Sequence, residues 1–168
     1  MELFDAIDSR TSAARLTGPG PTPVQIERLL SAAGHAPDHG RLKPWRFIVV
    51  GGALREAFAE AAALAKRARV PTLLDEQVEL EREKIRRSPC IVIVGCAVKR
   101  DFAKVPEIEQ VIAAGAAAQN LFLAAHGLGY GVMWKTGAAA YDAGVKAVVG
   151  LSPDDHIVGI LHIGTRVS

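Results

Sequence analysis

The unbroken apolar run from Cys90 to Val98 constrains the fold of this chain more than any other feature. It has the length of a β-strand, and it lacks the polar alternation of a strand that has one solvated face. Such a run predicts an interior strand that is covered on both sides. The fold therefore needs a sheet with this strand near its centre. The two cysteines, Cys90 and Cys96, are predicted to be buried apolar side chains.

The segments around this strand carry their own patterns. Apolar residues at helical spacing, the Thr22-Pro23 helix start and Ala-rich stretches indicate helices, while β-branched and aromatic stretches indicate strands. Their order predicts an α+β chain, or a three-layer sandwich around a small mixed sheet, in one domain that spans residues 1–168. Helices are predicted over residues 2–10, 22–37, 53–69, 73–86, 105–126 and 143–149, and further strands over residues 45–50, 131–136 and 157–163.

The charge balance excludes two classes of partner. The chain has 20 Lys and Arg against 18 Asp and Glu, and the signs are interspersed, so neither nucleic acid nor an anionic membrane surface is predicted. Residues Met1 to Ser9 carry acids where a secretory signal carries basic residues, so a cytoplasmic location is expected. The longest purely apolar stretches fall short of the roughly 18 residues that a membrane span needs, so no span is expected.

A cluster of guanidinium groups and hydroxyls follows the first predicted helix. Arg10, Thr11 and Ser12 are consecutive, and Arg15 comes shortly after them. This combination suits a phosphate, because both kinds of group donate hydrogen bonds to phosphate oxygens. The same composition is also typical of a solvent-exposed helix end, and the residues by themselves do not separate the two interpretations.

A loop that is dense in polar groups lies between the second predicted helix and the next strand. It runs from Ala36 to Trp45 and is bounded by prolines, which is typical of a fixed loop that presents groups to a ligand. His35 and His39 are four residues apart, but Pro37 between them disrupts a shared helical face, and no zincin-like pattern accompanies them. No metal site is predicted.

Two features near the strand at residues 131–136 are candidates for binding a flat ligand. The glycines of His126–Gly131 follow a helix and open a strand, which is the reverse of a dinucleotide-binding loop, so they are expected to end the helix. Trp134, Lys135 and Thr136 come at the end of the strand, a position that suits a flat aromatic ligand. The alternative is that the tryptophan packs in the core.

The sequence contains no GxSxG motif, no paired Cys and His signature and no obvious carboxylate pair, so it favours chemistry by a cofactor over hydrolysis. Taken in order along the chain, several segments resemble the nitroreductase family, and most closely its minimal members. The resemblance runs from about Phe4 to Thr165. The matching segments are Arg10–Ser12, Ala36–His39 with Lys43–Trp45, Lys104–Pro106 with Glu109–Gln110, Gly129–Gly137 and Val158–Thr165.

The resemblance implies a nitroreductase-like fold, a three-layer α-β-α sandwich with a small mixed, mainly antiparallel sheet. It also implies a homodimer that holds FMN at the subunit interface. Hydride from NADH or NADPH would pass through FMN to a nitroaromatic, a quinone or a similar acceptor, by a ping-pong mechanism. No side chain is expected to act as an acid or base in the hydride step.

By position, the resemblance also implies which residues contact FMN. Arg10–Ser12 would hold the phosphate and the ribityl chain, and His35 and His39 would reach the flavin from the partner subunit. Trp134–Thr136 would lie along the isoalloxazine ring and its polar edge. There, a backbone N–H near Trp134 is expected to contact flavin N5, and a nearby cation to stabilise the reduced anionic flavin.

The chain departs from the family pattern in three places. Thr11 stands where the family often has a second basic residue, Asp38 and Arg41 stand where it often has Ser and Asn, and the sequence stops at Ser168, where relatives usually continue into a tail that wraps the partner. These departures are expected to alter FMN affinity and dimer contacts. Two alternatives stay open: a protein that sequesters, senses or cleaves FMN without reductase turnover, and an interaction module without a cofactor.

Overall fold

The structure is a computed structural model, and it describes residues 1–167. Within these residues the chain forms five strands and six α-helices. The strands are β1 (Leu16–Thr17), β2 (Trp45–Val49), β3 (Cys90–Cys96), β4 (Gly131–Lys135) and β5 (His156–Arg166). The helices are α1 (Leu3–Ser9), α2 (Pro23–Ala33), α3 (Gly52–Arg69), α4 (Asp75–Arg86), α5 (Glu107–Gly127) and α6 (Ala143–Val148). Short 3₁₀-helices lie at His39–Arg41 and Ala138–Tyr141.

The apolar run predicted as the interior strand forms β3, and all of its residues are buried, both cysteines included. It lies between β2 and β5, which confirms its central position. The long strand β5 pairs with β1, β3 and β4. Every strand pair in the described residues is antiparallel, so the sheet lacks the parallel pairing that a mixed sheet contains.

The helices form one layer on each face of the sheet, which confirms the three-layer α-β-α architecture. Helices α2 and α5 cover one face, where Leu121 is buried in the same cluster as Leu161. Helices α3, α4 and α6 cover the other face, where Phe58 is buried in the same cluster as Ile160. Neighbouring residues of one strand therefore enter different cores.

Helix α5 has the length and mean hydropathy of a membrane span. The sequence expectation of no span considered only uninterrupted apolar stretches, and polar residues such as the adjacent Gln119 and Asn120 interrupt this helix. In the fold, α5 lies against the sheet and buries Ala114, Ala117 and Leu121 there. Core helices commonly meet the same criterion, so we describe α5 as the core helix of this fold.

The start of α2 follows the prediction made from Thr22 and Pro23. The hydroxyl of Thr22 accepts a hydrogen bond from the Gln25 N–H (3.3 Å), and Gln25 Oε1 accepts one from the Thr22 N–H (2.9 Å). Pro23 occupies the first turn, where its missing N–H costs nothing. The helix ends at Ala33, ahead of Pro37, and the polar loop follows.

Candidate functional site

A groove on the α4 side of the sheet joins the segment after α1, the end of α4, β4 and β5. Its volume is about 410 Å³, within the range of roughly 300–1,000 Å³ that is typical of small-molecule sites. Of the described residues, four basic ones line it and no acidic one does. We call it the basic groove, and its polar lining residues are Arg15, Lys84, Arg87, Ser88, Lys135 and His162.

Arg10, Thr11 and Ser12 come directly before the residues that line the basic groove. The guanidinium of Arg10 lies 4.9 Å from the centroid of the Phe122 ring. Arg166 donates from Nη1 to Thr11 Oγ1 (2.9 Å) and from Nη2 to Thr11 O (2.8 Å). Thr11 and Ser12 are both exposed. The segment therefore places two guanidinium groups near two accessible hydroxyls, a donor set that suits an anion such as phosphate.

The open edge of β4 lies beside this segment. The Ala13 N–H donates to Val132 O (2.9 Å), and within residues 1–167 β4 pairs with no strand other than β5. Backbone groups of alternate residues in an antiparallel strand point to the same edge, so the Trp134 N–H shares the edge of Val132 O. This edge therefore offers an N–H donor to a ligand.

The side chains of Trp134 and Lys135 point to opposite faces of the sheet. The indole packs on the α5 face, and its Nε1 donates to Val158 O (3.1 Å). A Cβ on Gly159 would lie 2.5 Å from this nitrogen, so the indole covers that glycine closely. Lys135 lines the basic groove on the other face, and the exposed Thr136 follows it. The structure thus separates the indole from the groove that Lys135 lines.

Lys135 carries a charge that no described carboxylate neutralises in a direct ion pair. Burial lowers the pKa of Lys135, Lys84 lowers it further, and Glu81 raises it. Lys84 itself donates to Glu81 Oε1 (2.7 Å). No carboxylate oxygen of residues 1–167 lies within 4.0 Å of Lys135 Nζ, the distance limit for an ion pair. An ammonium in this position favours an anionic group on a ligand.

His162 lines the basic groove, although the sequence analysis did not single it out. It is 5% exposed, and its Nδ1 lies 3.0 Å from Ser88 Oγ. Since Ser88 Oγ donates to Cys90 O (3.1 Å), it accepts from His162, and Nδ1 carries the proton. Burial lowers the pKa of His162 to about 4, and the charges of Lys135 and Arg55 contribute. The ring is therefore neutral at neutral pH.

His35 and His39 do not line the basic groove. His35 is exposed just after α2. Nδ1 of His39 lies 2.5 Å from Oε2 of Glu109, beside a separate cavity of about 240 Å³. One chain alone therefore does not bring these histidines into the groove with Lys135. Within residues 1–167, no group of three or more His, Cys, Asp or Glu side chains is placed to hold a metal ion.

Helix α1 and one side of α5 leave large apolar side chains uncovered. Phe4 is 77% exposed and Ile112 is 63% exposed, and Ile7 and Ile108 are exposed as well. Helix α1 meets the C-terminal end of α5, where Ser9 Oγ lies 2.8 Å from Nε2 of His126, whereas Ile108 and Ile112 lie in the first turns of α5. Exposed apolar side chains that form patches are typical of surface that a partner covers. Ile112 also lines the cavity beside His39.

Residues 7–165 match the family model described as the nitroreductase family. YdjA of Escherichia coli (strain K12), provisionally named an NAD(P)H nitroreductase, is 34% identical over 165 residues, which are 98% of this chain and 88% of that protein. A protein of Haemophilus influenzae with the same provisional description is 32% identical over 166 residues, which are 98% of this chain and 89% of that protein.

Solved structures show the same fold. A nitroreductase-like family protein from Bacillus cereus has a TM-score of 0.85 at 24% identity, with 100% of this chain and 87% of that chain covered. A protein from Desulfovibrio desulfuricans, provisionally described as a nitroreductase and solved in complex with FMN, has a TM-score of 0.75 at 23% identity, with 98% and 86% covered. At these identities the likeness shows the fold.

Proposed function

Because the chain belongs to the nitroreductase family, we propose that it is an FMN-dependent NAD(P)H oxidoreductase that reduces a nitroaromatic, a quinone or a similar acceptor. The observation that carries the proposal is the basic groove beside Arg10–Ser12 and the open edge of β4. The groove offers cations without acids, and its surroundings offer accessible hydroxyls and a backbone N–H. A flat anionic cofactor such as FMN fits this set of groups.

The phosphate and the ribityl chain are assigned to Arg10, Thr11 and Ser12. Thr11 replaces the second basic residue that is frequent in the family, and Arg166 compensates for it by donating to Thr11 from the end of β5. The positive charge that position 11 lacks is therefore supplied by a distant part of the chain. This arrangement supports phosphate binding despite the departure from the family pattern.

The flavin ring is assigned to the open edge of β4. There, the Trp134 N–H is the donor for flavin N5, and Lys135 is the cation for the polar edge of the ring, with Thr136 beside it. Lys84 lines the same groove and adds to the positive potential. A positive charge at this end stabilises the reduced anionic flavin. The Trp134 indole fixes the strand from the opposite face and has no contact with the ring in this assignment.

Bound FMN would supply the redox chemistry, accepting hydride from NADH or NADPH and returning two electrons to the acceptor. The residues of the chain bind the phosphate, orient the ring and neutralise its charge. None of them is assigned as an acid or base in the hydride step. Nicotinamide and acceptor are expected to occupy the same cleft in turn, which gives ping-pong kinetics.

We propose that the enzyme works as a homodimer. The exposed apolar side chains of α1 and α5, Phe4 and Ile112 among them, provide a face for a second copy to cover. His39 lies beside this face. In such a dimer, His35 and His39 would reach the flavin held by the partner subunit. The cytoplasmic location expected from the sequence fits an enzyme that draws on NAD(P)H.

An absorbance spectrum of the protein after incubation with FMN and desalting tests this proposal. Retained flavin bands that bleach on anaerobic addition of NADPH, and return on addition of a quinone, are the expected result. Protein that emerges without flavin contradicts the FMN site. Flavin that is retained but is reduced by neither NADPH nor NADH supports an FMN-binding protein without reductase turnover.

A further inference from the structure

A second cavity adjoins the basic groove and shares Lys84, Lys135 and His162 with it. It lies between α3, α4, β5 and the segment at residues 136–139, and its volume is about 360 Å³. We call it the lysine cavity, because Lys66, Lys84 and Lys135 line it. Apart from the shared Lys84 and Lys135 and the adjoining Thr136, its lining residues have no part in the flavin contacts proposed above.

The walls of the lysine cavity are apolar and fixed. Phe58, Ile85 and Ile160 line it, and all three are buried members of the core on this face of the sheet. A flat apolar ring suits these walls, because burial of apolar surface contributes roughly 25 cal/mol per Å². The walls alone thus favour an aromatic or quinonoid body in the ligand.

The charges of the lysine cavity are unequal, because three lysines and one carboxylate, that of Glu81, line it. Lys84 donates to Glu81 at 2.7 Å, so this lysine has a partner. No carboxylate oxygen of residues 1–167 lies within 4.0 Å of Nζ of Lys66 or Lys135, the distance limit for an ion pair. Two ammonium groups beside apolar walls therefore lack an ion-pair partner within the described part of the chain. Burial lowers the pKa of Lys135, and the charge of Lys84 lowers it further, although Glu81 acts in the opposite direction.

His162 adds a neutral hydrogen-bond acceptor at the junction of the two cavities. Its Nδ1 is bonded to Ser88, while Nε2 has no bond to any described residue. No enclosed side-chain nitrogen or oxygen in the described residues lacks a partner, so Nε2 is accessible. Because both cavities are lined by this ring, its accessible part opens to them. Glu81 is the one acidic residue among the described residues that line the lysine cavity, and Lys84 occupies it.

We propose that the lysine cavity receives the electron acceptor and selects acceptors in which a flat ring carries a carboxylate or another anionic group. This inference rests on the proposed oxidoreductase function, since it names the acceptor class of the same enzyme. The apolar walls take the ring, and Lys66 takes the anionic group, while Lys135 keeps its contact with the polar edge of the flavin. A neutral acceptor of the same shape leaves the Lys66 ammonium without a partner and binds more weakly.

Isothermal titration calorimetry of the FMN-loaded protein tests the preference directly. The probes are para-nitrobenzoate and para-nitrobenzyl alcohol, which differ in charge but have similar shape. We expect the carboxylate to bind about tenfold more tightly at low salt, and the difference to shrink as salt screens the charges. Equal affinities for the two probes overturn the inference.

Lys66→Gln removes one ammonium from the lysine cavity without changing a residue assigned to the flavin. We expect the preference for para-nitrobenzoate to fall several-fold and Lys66→Glu to reduce it further. The matched control is Lys104→Gln, an exposed lysine that lines neither cavity and should keep the full preference. If Lys66→Gln releases FMN, or changes only the KM for NADPH, the cavity serves the flavin or the nucleotide and the inference is overturned.

Steady-state kinetics separate this inference from the proposed function. Reduction of para-nitrobenzoate consumes one NADPH and one proton and yields the nitroso compound, NADP⁺ and water. Equal kcat/KM for both nitro compounds overturns the anion preference but leaves the oxidoreductase function standing. If neither nitro compound and no neutral quinone supports the oxidation of NADPH, the proposed function is overturned. The role of the cavity as an acceptor site is then overturned as well.

Discussion

The two faces of the sheet differ in how completely they are filled. Helix α5 closes one face with small and branched side chains, and Ala114, Ala117 and Leu121 are all 0% exposed. Helices α3, α4 and α6 cover the other face but leave the lysine cavity between Phe58 and Ile160. Both faces belong to the same strands, so the covering helices cause the difference.

This difference gives neighbouring residues of one strand separate tasks. On β4, Trp134 packs on the closed α5 face, while Lys135 lines the cavities on the open face. On β5, Leu161 packs on the closed face, and His162 lines the cavities on the open face. The closed face holds the strands in position, and the open face presents polar groups from fixed positions. Changes on the closed face should therefore cost the most stability, whereas changes to the polar groups of the open face should alter binding or the pH dependence of stability.

The largest effect is expected from Leu121→Ala on the closed face. Its dense surroundings cannot fill the space left behind, so the free energy of unfolding should fall by about 3–4 kcal/mol. Ile85→Ala on the open face should cost only about 2 kcal/mol, because its side chain already borders the lysine cavity. Chemical denaturation of the two variants measures both losses. Equal losses would show that the two faces are packed alike.

The second-largest effect is a pH dependence of the free energy of unfolding, which comes from His162 on the open face. Its pKa is about 4 in the folded protein against an ordinary 6.5, so between these values the unfolded chain binds more protons. The contribution of His162 to the free energy of unfolding is fully present above pH 6.5. It is lost at about 1.4 kcal/mol per pH unit, about 3 kcal/mol in all, as the pH drops to 4.

Urea unfolding at several pH values, with His162→Gln beside the parent, checks this dependence. The variant is expected to lose most of the slope between about pH 5 and 6.5. The pKa values of Glu60 and Glu83 lie below their ordinary 4.5, and that of Asp155 lies below 3.8, so these carboxylates act at the acid end and do so in both proteins. The same slope in both proteins would contradict a neutral, buried His162.

A smaller effect, on the affinity for FMN, is expected from Arg10→Ala beside the basic groove. Removal of a charge-assisted hydrogen bond to the FMN phosphate should weaken FMN binding by about 2 kcal/mol, or roughly thirtyfold. Arg69→Ala removes an exposed guanidinium at the end of α3 and serves as the matched control. Titration of flavin fluorescence gives both dissociation constants. An Arg10 variant that binds FMN as tightly as the parent would remove the phosphate assignment.

The smallest effect is expected from Asp142→Ala at the start of α6. Asp142 Oδ1 accepts a hydrogen bond from the Val145 N–H (2.9 Å) and caps the helix. Its loss should cost about 1 kcal/mol of stability, and Asp142→Asn should restore most of it. Helix α6 does not line the lysine cavity, so binding of para-nitrobenzoate should not change. A change in that affinity would show that α6 shapes the open face more than its packing indicates.

The fold could be predicted wherever a segment carries its own pattern. The apolar run of β3 and the Thr22 cap of α2 depend on neighbours in the sequence, and both predictions are confirmed. Strand β1 has two residues and exists only because Leu16 and Thr17 pair with the end of β5. The same pairing extends β5 past Ile163 to Arg166. Such long-range pairing leaves no periodic signal in the sequence.

The candidate site could be predicted only in part. Arg10–Ser12 stood out by composition, but the position of Arg166 beside Thr11 depends on the β1–β5 pairing. Strand alternation would have placed Trp134 and Lys135 on opposite faces, and a lone polar residue in an apolar strand would have marked His162. No such signal exists for Lys84, because charged residues occur throughout α4, and the fold alone decides which of them face a cavity.

The hydrogen bond from Ala13 to Val132 occupies only part of the outer edge of β4, so the backbone at Trp134 remains unpaired within the described residues. An unpaired edge can recruit a strand of another molecule and start aggregation. In the proposed holoenzyme the flavin covers this edge. Its loss would convert a binding surface into a point of irreversible self-association, so the solubility and storage life of the protein are expected to follow its flavin content.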